Sequence, residues 1–97
     1  MTITWVLYDI QNDRARTRVA KYCRQAGLYR VQLSCYLGKL SSNELDELQL
    51  RIEPEIDLAV DKVYLFPMTK KQLNQAYLLG QAFDQKLITD EVLALFL

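Results

Sequence analysis

Leu28-Tyr29-Arg30-Val31-Gln32-Leu33-Ser34-Cys35-Tyr36-Leu37 is the stretch on which the fold turns. Read as one strand, it places Val31, Leu33, Cys35 and Leu37 on one face. Arg30, Gln32, Ser34 and Tyr36 take the other. The run is long for a single strand. A bend at Gln32–Ser34 divides it into two short strands, with Gly38-Lys39 ending the second. Divided in this way, it becomes a hairpin at the centre of the chain.

The segments on either side are easier to read. Thr2–Tyr8 is rich in β-branched and aromatic residues and predicts a strand. Its faces, Ile3-Trp5-Leu7 and Thr4-Val6-Tyr8, are both largely apolar, which favours a central position. Ala15, Val19, Tyr22, Cys23 and Ala26 recur at helical spacing in Arg14–Ala26, and Gly27 supplies a stop. Ser41 and Glu44 match a capping box at the start of a second helix. That helix carries an apolar stripe of Leu45, Leu48, Ile52 and Ile56, and Pro54 ends or kinks it. Asp61–Phe66 predicts a strand closed by Pro67. Thr69-x-x-Gln72 then opens a short third helix through Leu73, Ala76 and Tyr77 towards Gly80. Gln81–Asp90 is polar and the expected mobile segment, and Glu91–Leu97 is a last strand.

With the central hairpin, the order is β-α-β-β-α-β, the split arrangement of ferredoxin-like domains. The expected class is α+β: helices on one face of an antiparallel sheet, the other face open to a partner. Residues 1–97 form one expected domain, in which 69–97 supply the short helix, the mobile segment and an additional terminal strand.

Composition narrows the chemistry. Of the 97 residues, 51% are apolar, and ten are aromatic: six Tyr, three Phe and one Trp. So many large rings in so small a chain point to an interface as well as a core, and hence to a homodimer. Histidine is absent, which excludes histidine-based ribonuclease chemistry and Ser-His hydrolysis at Ser34. Cys23 and Cys35 form no Cys-x-x-Cys pair and read as buried thiols in a reducing compartment. No signal peptide or membrane-length apolar run is visible, so the expected location is cytoplasmic.

The formal net charge of zero conceals two halves of opposite sign. Before Glu44, Asp9 and Asp13 are the only acids, against Arg14, Arg16, Arg18, Lys21, Arg24, Arg30 and Lys39. A local positive field draws a polyanion regardless of the total. Arg14, Arg16, Arg18, Lys21 and Arg30 are therefore candidate nucleic-acid contacts, with a solvated helix face as the alternative. Asp9, at the tip of an apolar strand, is the candidate metal ligand and catalytic carboxylate. Mg²⁺ (or Mn²⁺) needs more than one such group. Either Asp13 folds back across the turn, or a dimer axis brings two copies of Asp9 together. Asp13 reads more naturally as the cap of the first helix, although Asn12 could also serve.

Two ordered motifs then carry a resemblance. They are Tyr8-Asp9-Ile10-x-Asn12-Asp13-x-x-Arg16 and Gly27-Leu28-x-Arg30-Val31-Gln32-x-Ser34-x-Tyr36-x-Gly38. Together they resemble the small CRISPR-associated endoribonuclease family of the spacer-acquisition machinery. Val63-x-Leu65-Phe66-Pro67-Met68 is similar to that family's fourth-strand signature. Gln11, Leu33 and Cys35 depart from its commonest residues. The resemblance implies a ferredoxin-like homodimer in which the last strand extends the partner's sheet and two aspartates matching Asp9 face each other around Mg²⁺. It also implies metal-dependent cleavage of single-stranded RNA or duplex DNA, and a CRISPR integrase subunit as partner. Three roles stay open: an adaptation subunit that cuts nucleic acid, a non-catalytic dimer bridging integrase subunits on duplex DNA, and a toxin-like metal-dependent ribonuclease.

Overall fold

The computed structural model describes residues 2–79. The sheet is built around β1, Thr2–Asp9, whose two apolar faces require cover on both sides. β1 lies between β3 (Cys35–Leu40) and β4 (Lys62–Met68), and β2 (Tyr29–Gln32) pairs outside β3. The order β2-β3-β1-β4 is antiparallel throughout. Helix α1 (Asp13–Gln25) follows β1, and α2 (Ser42–Ile52) follows β3. This is the expected ferredoxin-like α+β arrangement.

The central hairpin forms where the bend was expected. Leu33 and Ser34 make the turn, and Ser34 adopts φ 62°. Ser34 carries the left-handed conformation that a tight hairpin needs and that glycine or asparagine more often supplies. The N–H of Tyr8 donates to the Ser34 carbonyl at 3.0 Å, tying the turn to the end of β1. The register also slips between Arg30 and Gln32. Gly38-Lys39 does not end β3. It stays within the strand opposite Thr4 and Ile3, because ladder pairing runs on to Leu40.

Gly38 is needed for a different reason. A Cβ there would stand 2.8 Å from Leu28 Cδ2 and 3.1 Å from Leu28 Cα. The chain leaving α1 crosses the sheet at that point, so Gly38 admits its backbone. Gly27, at φ 94°, makes the turn itself, and a Cβ on it would meet nothing within 4 Å.

One core lies between sheet and helices. It contains Val6, Tyr8, Val19, Cys23, Tyr36 and Leu48 among others. Tyr36 is fully buried and stacks on Tyr8 with ring centroids 6.4 Å apart. The Ser41–Glu44 capping box forms, and Pro54 ends α2 in a 3₁₀ turn at Glu53–Glu55. Thr4 is buried on this side, and its hydroxyl has no hydrogen-bond partner.

A second apolar cluster lies on the opposite face. It comprises Ile3, Val31, Cys35, Leu37 and Leu73, with Trp5, Leu7 and Met68 packed against it. Thr69 and Gln72 form the expected capping box on α3, Lys70–Asn74, and α3 seats Leu73 over the sheet. The helix stops before Ala76 and Tyr77, and Tyr77 is exposed. β4 continues past Phe66 through Pro67. Proline is tolerated because β4 is an edge of the described sheet and no neighbour needs its N–H. The expected mobile segment and the Glu91–Leu97 strand lie outside the described residues.

Candidate metal and nucleic-acid site

Asp9 is the last residue of β1, is exposed, and stands opposite Lys62 in the register with β4. Side chains alternate along a strand, so Asp9 shares a face with Leu7 and Trp5, away from α1 and α2. Lys62, Tyr64 and Phe66 face the same way from β4. Tyr64 and Phe66 are about half exposed and stack with ring centroids 5.9 Å apart. Tyr64 extends a broad apolar surface that ends in a carboxylate and an ammonium.

The turn after Asp9 is rigidly held. Asp61 accepts from the Gln11 N–H at 3.2 Å and from the Asp57 N–H at 2.9 Å, tying the start of β4 to the β1–α1 turn. Asn12 caps α1, accepting from the Ala15 N–H at 2.9 Å. The cap therefore is Asn12 and not Asp13. Asp13 is the first helical residue, where its charge complements the helix N-terminus, and it forms an ion pair with Arg16. Because Asn12 already satisfies the helix end, the Asp13 carboxylate is left to pair with a residue one turn on.

No group of three or more Asp, Glu, Cys or His positioned to hold a metal ion occurs among the described residues. One protomer thus offers a single carboxylate at the strand tip, too few donors for Mg²⁺.

The basic residues fall into two groups. Arg14 and Arg18 border a shallow depression shared with Glu55, Asp57 and Asp61. Arg18 is tied to Glu55 at 2.9 Å, and the Tyr22 hydroxyl donates to the other oxygen of Glu55 at 3.0 Å. Those two donors hold the Glu55 carboxyl below its ordinary pKa, so it stays ionised and keeps Arg18 engaged. Lys21 is exposed on α1.

The second group is more concentrated. Arg16, Arg24 and Arg30 line a cleft of about 230 Å³ with Tyr8, Tyr36 and Ser34, and no carboxylate borders it. Arg16 also donates to the Ile10 carbonyl at 3.1 Å. Burial pushes the Tyr8 phenol up to about 12, so it is neutral at physiological pH. The cleft lies on the α1 side of the sheet, away from the face that carries Asp9. The arginines and Asp9, adjacent in sequence, are parted by the sheet.

Arg24, Lys62, Asp61 and Glu55 have site roles that sequence reading did not assign. Arg24 was visible as part of the basic run, but its convergence with Arg30 required the packing of α1. The other three depend on register or on a contact across 37 residues or more.

The fold defines a ferredoxin-like sheet with one helix-covered face and one partly open apolar face. The chain belongs to the family described as CRISPR associated protein Cas2, whose model matches residues 1–76. It is 38% identical to CRISPR-associated endoribonuclease Cas2 2 of Chloroflexus aurantiacus over 79 residues, 81% of this chain and 93% of that relative. It is 32% identical to a Cas1 endonuclease/Cas2 endonuclease fusion of Thermoproteus tenax over 69 residues, 71% of this chain and 26% of the fusion. A solved hypothetical protein from Thermus thermophilus superposes with TM-score 0.70 at 30% identity, covering 81% of this chain and 90% of that one. Streptococcus pyogenes Cas2 has the same fold, with TM-score 0.69 at 24% identity, covering 80% and 99% respectively. No helix among the described residues is long and apolar enough to cross a membrane.

Proposed function

We propose that the chain acts as a homodimer in CRISPR spacer acquisition, binding nucleic acid and cutting phosphodiester bonds at Asp9. The observation that carries this reading is the open sheet face. Asp9 stands at the end of the surface formed by Trp5, Leu7, Tyr64 and Phe66. A two-fold contact between such faces would cover the rings and bring Asp9 towards the partner subunit's Asp9. Those two carboxylates would hold Mg²⁺ or Mn²⁺, which when bound supplies an activated water and charge stabilisation at phosphorus. Lys62, opposite Asp9, adds positive charge for a phosphate at the same place. Relatives bearing the endoribonuclease name support cleavage, and the fusion relative supports a Cas1-type integrase subunit as partner.

A second reading is a bridging dimer that holds duplex DNA without cutting it. It is favoured by the placement of Arg16, Arg24 and Arg30 on the side of the sheet opposite Asp9. Nucleic acid could be gripped there with Asp9 idle.

Asp9→Asn separates the two. Cleavage of single-stranded RNA and duplex DNA would be measured with Mg²⁺ and Mn²⁺, alongside spacer integration with the cognate integrase. The nuclease reading expects cleavage to vanish while the fold and nucleic-acid affinity persist. Undiminished cleavage by a clean preparation rules Asp9 out as the catalytic group. Lost cleavage with full integration assigns the biological role to the bridging dimer.

A further inference from the structure

Arg14, Arg18 and Lys21 share one flank of α1, but they do not present the same charge to solvent. Of the three, only Arg18 forms an ion pair among the described residues, to Glu55 at 2.9 Å. Glu55 is held independently of Arg18. It closes the 3₁₀ turn that carries Pro54, and its other oxygen accepts from the Tyr22 hydroxyl at 3.0 Å. The Tyr22 ring lies beneath Arg51, whose guanidinium carbon stands 4.2 Å from the ring centroid, and Arg51 donates to Gln25 at 3.0 Å. The Glu55 side chain is 20% exposed and that of Arg18 53%. A fixed acid therefore meets a long, largely solvated arginine.

Stability does not account for the pair. The helices are already joined through Val19, Cys23, Leu48 and Ile52 in the core, and an exposed ion pair adds little. Asp57 and Asp61 border the same depression, but they accept from backbone N–H groups: Ala59 donates to Asp57, and Gln11 and Asp57 donate to Asp61. Glu55 is thus the carboxylate there that engages an arginine. Arg14 forms no hydrogen bond or ion pair among the described residues, yet it shares the depression with all three acids. A phosphate approaching this flank would meet their charge, and would have to displace Glu55 to take its place on Arg18.

We infer that Glu55 sets the protein's affinity for nucleic acid by occupying Arg18, so that this flank of α1 offers fewer free cations than its sequence carries. This rests on the nucleic-acid-binding reading above and adds a residue that opposes binding. A carboxylate already in place loses little freedom on pairing, whereas a phosphate must be brought up and desolvated. A cation returned to a duplex phosphate steepens the slope of log affinity against log salt by about 0.9. At about 0.1 M salt, that one contact tightens binding about eightfold.

The test is fluorescence anisotropy on the full chain with a blunt DNA duplex of mixed sequence, across a salt series and with EDTA present to prevent cleavage. Glu55→Gln keeps an acceptor for the Tyr22 hydroxyl and removes the charge. It is expected to bind about eightfold tighter at about 0.1 M salt, with a slope steeper by about 0.9. Adding Arg18→Gln to Glu55→Gln is expected to return both affinity and slope to wild type. Circular dichroism and urea midpoints confirm that both proteins fold. If Glu55→Gln binds no tighter, or its slope does not steepen, the inference is wrong. A gain that survives in the double variant overturns it, because the gain then does not pass through Arg18. A double variant clearly weaker than wild type overturns it too, because Arg18 was then already bonded to phosphate. Any of these failures with wild-type binding intact leaves the general nucleic-acid reading standing. Absence of binding by both wild type and Glu55→Gln overturns both.

Discussion

Phe66→Ala tests whether the open sheet face joins two copies. Phe66 is 47% exposed and stacks on Tyr64, which is 50% exposed, so the ring is half available to a partner. A phenylalanine offers roughly 200 Å² of apolar surface, so about 100 Å² per protomer would be covered on association. At about 25 cal/mol per Å² that is ~2.5 kcal/mol, and a two-fold interface incurs the loss twice, for ~5 kcal/mol. Since each 1.4 kcal/mol is about tenfold, the dimer Kd should rise by roughly three to four orders of magnitude. Sedimentation velocity across a concentration series would show the variant as monomer where the wild type is dimeric. Leu50→Ala is the control, because Leu50 is 64% exposed on α2, which packs on the opposite side of the sheet. It should leave association unchanged. A Phe66→Ala dimer as tight as wild type, or a wild type that stays monomeric throughout, would refute the assignment of this face.

Three further outcomes concern stability. Gly38→Ala should destabilise the fold by about 1–2 kcal/mol, because overpacking against Leu28 outweighs the entropy that alanine saves in the unfolded chain. Urea denaturation at fixed protein concentration checks this, and a midpoint equal to wild type counts against the close approach. Thr4→Val should stabilise by about 1 kcal/mol, since it removes a buried hydroxyl without a partner; lower stability would mean the hydroxyl is satisfied. Stability should also fall as pH rises from about 9 towards 12. The Cys23 thiol and Tyr8 phenol are both raised to about 12 by burial, from 9.0 and 10.0. Above those starting values the unfolded chain releases protons that the folded chain retains, so alkali favours unfolding. Cys23→Ala should show a shallower alkaline decline in urea midpoint; an unchanged decline would place its cause elsewhere.

Much of the candidate site was legible because it depends on local pattern. Asp9 could be placed at a strand tip because the apolar run before it ends there. The Ser41–Glu44 and Thr69–Gln72 boxes form as read, since each needs only residues three apart. Asp13 was misread as the cap because Asn12 and Asp13 are both competent. The choice depends on where α1 begins, and pairing of β1 through Asp9 sets that position. The side that Tyr36 takes was not legible, because both faces of the β2–β3 run carry large side chains. The packing of α1 and α2 decides which face is interior.

The order of strands and helices, the central hairpin and the central position of β1 follow from the sequence alone. Hydrophobic period and turn chemistry act over a few residues, and the chain carries both in full. Tertiary structure decided what lies across from what. It set Lys62 opposite Asp9, Glu55 on Arg18, and Arg24 beside Arg30. It also parted Asp9 from the arginines that follow it in the chain. A strand sends neighbouring residues to opposite faces, and once a helix covers one face, residues close in sequence can serve different surfaces. Register and face are properties of paired elements, so no single stretch of the chain contains them.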